Sequence, residues 1–277
     1  MRLDHADFRV SVETEEQLSA CLSVPGVELI YVDAGFFAKA DLPSLVKRVH
    51  KGCGGIGKLC GLRLPKVWRK EAEAFFAERK DGIREASFDC FLAPSPEGTL
   101  WLLEVGFSEN GENLILDHSF YCFNPLTDEE NSRLLGIDGF TVTWPLEMSS
   151  QEMKNMSRES SGKIRRELVI YGRVPMMISA QCFRRTELRC DRRMCTMKLK
   201  DRTGAYLPVK NNCTFCYNTV YNSVPTILPG AETESGEIQV DFRRMEFTTE
   251  SGMEVKSILS GEMPKAFTRG HFHKGVL

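Results

Sequence analysis

Five of the chain's ten cysteines fall within one window of 35 residues: Cys182, Cys190 and Cys195 in CFRRTELRCDRRMC, and Cys213 and Cys216 in CTFC. Thiolates are metal ligands, and two close pairs can converge on one ion. Four residues separate Cys190 from Cys195 and two separate Cys213 from Cys216, enough for a structural zinc held by four thiolates. That set leaves Cys182 out. An iron–sulfur cluster also takes four thiolates but tolerates irregular spacing, because its ligands come from several loops, and it would draw on Cys182. Spacing alone does not choose between the two. The remaining thiols have plainer readings. Cys21, Cys60, Cys90 and Cys122 sit on apolar runs and read as small buried hydrophobes, and Cys53 in GCGG reads as a loop thiol.

The cysteines are embedded in positive charge. Residues 158–202 hold thirteen Lys/Arg against five Asp/Glu, a local +8 on a chain whose net charge is −2, so the rest carries about −10. Arg184, Arg185, Arg189, Arg192 and Arg193 would favour thiolates and offset a thiolate-bound centre. They would equally meet the phosphates of RNA, or form an ordinary solvated basic face. There is no apolar run of 18 residues, and the opening MRLDHADFRV lacks the apolar core of a secretory signal. The expectation is a cytoplasmic protein, where thiols stay reduced and clustered cysteines mean metal or redox chemistry before disulfides.

The segments that would position these residues alternate. Apolar runs at 9–12, 27–34, 58–67, 85–93, 100–107, 140–149 and 166–172 are interleaved with amphipathic stretches at 13–22, 41–50, 70–80, 126–136 and 149–159. Such alternation predicts a parallel sheet with helical crossovers: an α/β, TIM-like (β/α) barrel, complete or short of a unit. A doubly wound open sheet is the competing topology, but no Gly-rich phosphate loop follows any strand. The alternation fails after residue 172. The expected organisation is therefore a barrel region over 1–172 and a Cys-rich α+β module over 173–277, with a last strand pair in IQVDFRRMEFTTE (238–250), a last helix in GMEVKSILSG (252–261) and a loop over 229–236.

The stretches YGRVPMMISAQC (171–182), LKDRTGAYLPVKNNCTFCYNTVYNSVP (199–225) and FTRGHFHKGV (267–276), together with TVTWPLEMS (141–149), resemble the collagenase-like peptidase family, peptidase family U32. The match is strongest from Phe140 onward. The resemblance implies a TIM-like barrel with the cysteine module after its last strands, and likens this chain to the C-terminal part of longer members: a short form or fragment, which a partner protein or a missing N-terminal region would complete. Some family members are iron–sulfur proteins of oxygen-independent hydroxylation, acting on ribosomal or transfer RNA bases or on ubiquinone precursors. Carried over by position, a 4Fe–4S cluster would be ligated by Cys182, Cys190, Cys213 and Cys216, with Cys195 as the alternative fourth ligand. The family title implies instead a hydrolase acting on collagen-like or other peptides. A third reading is a non-catalytic subunit with a structural zinc.

Nothing local supplies a protease. There is no HExxH and no GxSxG, and a Cys–His pair would have to recruit one of His5, His50, His118, His271 or His273. Arg173 at the end of a predicted strand is the best substrate-contacting cation, and Glu147 after another strand the best carboxylate, or a cap for the helix that follows. Asp201 and Arg202 read as a turn-fixing pair, and Asn218 and Asn222 as turn or substrate-bonding amides.

Overall fold

The computed structural model describes residues 8–108, 111–159, 164–187, 190, 192–228 and 238–274. Arg189, His5 and the 229–236 loop lie outside the described residues. Among the described residues the strands are β1 (Phe8–Val12), β2 (Val27–Asp33), β3 (Leu59–Arg63), β4 (Cys90–Ala93), β5 (Leu114–Leu116), β6 (Thr141–Thr143), β7 (Arg165–Gly172), β8 (Pro175–Ser179), β9 (Thr196–Lys200), β10 (Tyr206–Asn212), β11 (Tyr217–Tyr221), β12 (Thr226–Ile227) and β13 (Phe242–Glu246). The helices are α1 (Glu15–Leu22), α2 (Leu42–Lys51), α3 (Lys70–Ala86), α4 (Pro96–Glu104), α5 (Pro125–Leu135), α6 (Ser150–Glu159), α7 (Phe183–Glu187) and α8 (Gly252–Leu259).

Strands β1 to β7 pair in sequence order, all parallel, and β13 lies parallel between β7 and β1. The sheet therefore closes: eight parallel strands form a complete barrel surrounded by helices. VELIYVD of β2 is almost wholly buried, as a strand covered by helices on one side and barrel interior on the other must be. The helices begin where short polar side chains satisfy the first free amides. Thr14 and Gln17 form a capping box at α1, Asp41 accepts from Ser44 N at α2, and Asn124 from Thr127 N at α5. Gly136 ends α5 in the left-handed region at φ 66°, as its position in the sequence suggested.

Two assignments shift. The apolar run 100–107 is mainly helix α4, and the fifth barrel strand is the three-residue Leu114–Leu116 beyond it. The barrel also extends past residue 172: its eighth strand is β13, inside the segment assigned to the Cys-rich module. The module proper is a second sheet, antiparallel in the order β8–β11–β10–β9, inserted between β7 and β13. Among the described residues no helix is long and apolar enough to cross a membrane.

Candidate metal centre

The inserted sheet is seated on the C-terminal ends of β1, β2 and β3. Phe215, 1% exposed, is the anchor: its ring stacks with Phe76 at 6.0 Å and meets Phe75 edge-on at 5.2 Å, both on α3. Arg69 Nη2 donates to the carbonyls of Phe215 (3.3 Å) and Cys216 (2.8 Å). Thr214 Oγ1 donates to Gly35 O at 2.8 Å, and the Asn212 amide lies so close to Gly35 that a Cβ there would meet its Nδ2 at 2.4 Å. Lys210 Nζ pairs with Glu13 and donates to Thr248 O. These contacts fix the turn from Cys213 to Cys216 over the barrel's mouth, the face where such barrels place chemistry. Asn212 Oδ1 accepts from Phe215 N at 3.2 Å, and Cys216 takes the left-handed conformation (φ 53°) that a residue with a side chain rarely adopts.

One pocket beside this turn is lined by Cys182, Cys190, Cys213 and Cys216 together with Arg69, Arg185, Arg192, Asn211, Asn212, Tyr217 and Asn218. The structure thus gathers, around one space, the four cysteines carried over from the family resemblance. Burial, and then the nearby Cys182, Cys190, Cys195 and Cys216, push the Cys213 thiol up to about 11, which places all five thiols within electrostatic reach of Cys213. Cys195 does not line the pocket; its Sγ is 3.3 Å from Asn211 Oδ1. Cys21, Cys60, Cys90 and Cys122 are buried in apolar surroundings, and Cys53 is exposed.

The cysteines do not crowd around a point. A tetrahedral zinc with Zn–S of about 2.3 Å needs sulfurs about 3.8 Å apart. Among the described residues, the group of three or more potential ligands that comes within 4.8 Å mutually is Asp117, His118 and Glu246, and no set of three cysteines does so. A pocket that brings four thiols together at wider spacing suits a centre in which each sulfur binds a different metal atom.

The other residues singled out have structural engagements. Arg173 Nη1 donates to the carbonyls of Asn222 (3.0 Å) and Ser223 (2.5 Å), and Nε to Thr249 Oγ1 (3.0 Å). Glu147 Oε2 is buried without a hydrogen-bond partner; Glu152, not Glu147, receives the Ser149 amide at the start of α6. Asp201 accepts from Thr203 and Ala205 amides and so shapes its turn. The Asn218 amide donates to Ser179 O (3.2 Å) and Gln181 O (2.8 Å). His50 pairs with Asp89 and His273 with Arg269.

Sequence reasoning missed the barrel interior. Arg244 reaches Glu167 Oε1 (2.7 Å), Glu246 Oε1 (3.0 Å) and Asp117, strands apart in the wall and therefore met across the lumen. Arg63 approaches Asp117 (3.5 Å) and Glu246 (3.6 Å), and Arg9 reaches Glu167 (3.4 Å) and the Tyr31 hydroxyl (3.2 Å). Burial opposes charge on Asp117 and Glu246, but Arg244 and Arg63 win and hold both carboxyls below the ordinary range. His118, buried beside them, is pushed toward the neutral imidazole by desolvation, and its Nε2 has no hydrogen-bond partner. Lys66 is lowered by burial and then by Arg63. Asp33 is raised to about 6 by burial and then by Glu13. Groups whose proton affinities are driven toward neutrality from both sides make this mouth suited to acid–base work. Two arginines already neutralise the carboxylates, so a dication at Asp117, His118 and Glu246 would add uncompensated buried charge. The signal in the sequence was polar residues at alternate positions of buried strands, as in 241-DFRRMEF-247 and 114-LILDH-118.

No family model matches the chain, and no curated protein matches it. Solved structures do, 31 chains in all. One is a candidate fructose-1,6-biphosphate aldolase from Coccidioides immitis, 14% identical, matched over 59% of this chain with a TM-score of 0.41. The match spans 64% of that structure's length.

Proposed function

We propose that the chain is an iron–sulfur enzyme of the peptidase U32 type, binding a 4Fe–4S cluster through Cys182, Cys190, Cys213 and Cys216 and carrying out an oxygen-independent hydroxylation-type reaction on an RNA base. The observation that carries this reading is the single pocket lined by those four cysteines beside the mouth of a complete barrel. Their spacing, too wide for one tetrahedral zinc, favours the cluster over the structural ion. Arg185 and Arg192 in the lining, on a segment of net charge +8, supply compensation for an anionic centre and contacts for phosphate.

Replacing a ring C–H by C–OH removes two electrons and needs an oxygen donor, supplied by a co-substrate or water. The cluster, when bound, supplies one-electron chemistry. The protein's own part is to hold the four thiolates, to bind the substrate backbone by cations, and to hold protons at Asp33, Lys66 and His118 in the mouth. Tyr217 joins the two regions: it lines the cysteine pocket and its hydroxyl accepts from Lys66 N at 3.4 Å. The peptidase reading has less support, since no histidine is among the residues lining the cysteine pocket. Anaerobically purified protein should be brown, absorb near about 400 nm and carry about four irons and four acid-labile sulfides per chain. Colourless protein with about one zinc per chain would overturn the cluster reading and favour the structural one.

A further inference from the structure

The pocket has five thiols within reach and needs four. Two buried asparagines facing each other on adjacent strands decide between them. Asn211 and Asn218 are each 1% exposed and are directly paired between β10 and β11. The Asn218 amide nitrogen donates to two backbone carbonyls, Ser179 O and Gln181 O, which can only accept. Its orientation is therefore fixed, and its Oδ1 faces Asn211. The Asn211 nitrogen donates to that oxygen at 2.5 Å, so Asn211 is fixed as well. Its nitrogen also points to Cys182 Sγ at 3.7 Å, and its oxygen lies 3.3 Å from Cys195 Sγ. An amide oxygen can only accept, so Cys195 must donate and keep its proton. An amide N–H can only donate, so Cys182 is the acceptor, the role a thiolate fills best.

We propose that the Asn211–Asn218 pair sorts the thiols, holding Cys182 ready as a ligand and Cys195 as a protonated thiol outside the ligand set. Cys213 is also a donor, to Arg193 O at 3.3 Å, but the two cases differ. Arg193 is exposed, so water replaces the Cys213 proton when that thiol ionises. Asn211 Oδ1 is buried with its companion nitrogen already committed, so losing the Cys195 proton would strand it. The consequence for ligation rests on the cluster reading above; the pattern of protonation does not.

The test has two arms. In the metal-free, reduced protein, each cysteine's rate of modification by iodoacetamide at pH 7 is divided by its own rate at pH 10, which removes differences in access. The quotient for Cys182 should exceed that for Cys195 at least about fivefold, because only the thiolate reacts. Asn211→Leu should erase the difference; equal quotients in the unaltered protein would overturn the proposal whether or not the variant folds. In the second arm, anaerobic reconstitution of Cys195→Ser should retain the iron content of the unaltered protein, while Cys182→Ser and Cys213→Ser lose it. Loss of iron in Cys195→Ser with retention in Cys213→Ser would overturn the assignment. If no protein takes up iron, the cluster reading fails while the first arm still decides the sorting of the thiols.

Discussion

Asp33→Asn should make the protein more stable at neutral pH and, at the same time, less able to do its chemistry. Asp33 ends β2 at the barrel mouth and is 6% exposed. Its Oδ1 accepts from the amides of Gly35 (2.9 Å) and Phe36 (3.1 Å), bonds that an asparagine oxygen reproduces. Burial first, then Glu13, raise its carboxyl from 3.8 to about 6, with Arg63 and the two amides offsetting part of the rise. A group whose folded-state affinity for a proton is raised contributes fully below the unfolded value and loses that contribution as pH rises through the folded value. The window is therefore about pH 4 to 6, and the loss at about 1.4 kcal/mol per pH unit comes to about 3 kcal/mol by pH 7. Against a total of about 5–15 kcal/mol for a domain, that is easily measured. Urea denaturation at intervals from pH 4 to 7.5 should give matching stabilities for the two proteins at the acid end and a gap that opens to about 3 kcal/mol in favour of the asparagine variant at the neutral end. A constant gap across the range, or a variant that is less stable than the unaltered protein at pH 7, would refute the reasoning. Retaining so costly a carboxylate is what a residue kept for proton transfer looks like.

Two further substitutions probe the architecture. Arg244→Met removes the cation shared by Asp117, Glu167 and Glu246 in a fully buried setting, and should cost about 3–5 kcal/mol in denaturant unfolding; a cost under about 1 kcal/mol would mean that Arg63 and Arg9 suffice to hold the three carboxylates. Phe215→Ala deletes the ring that docks the cysteine turn on Phe75 and Phe76, and should cost about 3–5 kcal/mol together with most of the bound iron; unchanged iron content would show that Arg69 and the Gly35 contact position the turn on their own.

Much of this was legible in residue patterns, and the gaps have physical causes. The alternation of apolar and amphipathic segments gave the barrel, because burial on two faces forces continuous apolar strands such as VELIYVD. The strand Leu114–Leu116 escaped because three residues carry no period, while the helix before it contains the apolar run LWLLE and mimics a strand. Strand β13 was read as a strand but not as a barrel member: its partners Arg9 and Leu168 lie far away in the chain, and local pattern does not encode such pairings. The cysteines announced themselves by type and density. Asn211 did not, because an asparagine in a polar stretch normally signals a turn, and its role depends on Asn218 facing it across two strands. The lumen arginines and carboxylates were invisible for a related reason, since each has meaning only opposite the others.

The place where the chain departs from a plain barrel explains why its two polar centres are neighbours. In a regular barrel β7 would be followed by a helix that returns the chain to the start of the eighth strand. Here the chain leaves β7 at Gly172, builds the β8–β11 sheet over the mouth, and begins its return through β12, which runs antiparallel beside Tyr171 and Gly172. Everything inserted at that point must lie on the C-terminal face, where the strand ends carry Asp33, Lys66, Asp117, His118 and Glu246. A cysteine module placed after a loop on the opposite face would reach the surface, but not this interior. Tyr217 and Asn212, hydrogen-bonded at 3.3 Å and both lining the cysteine pocket, are the short bridge that the insertion creates between thiols and lumen.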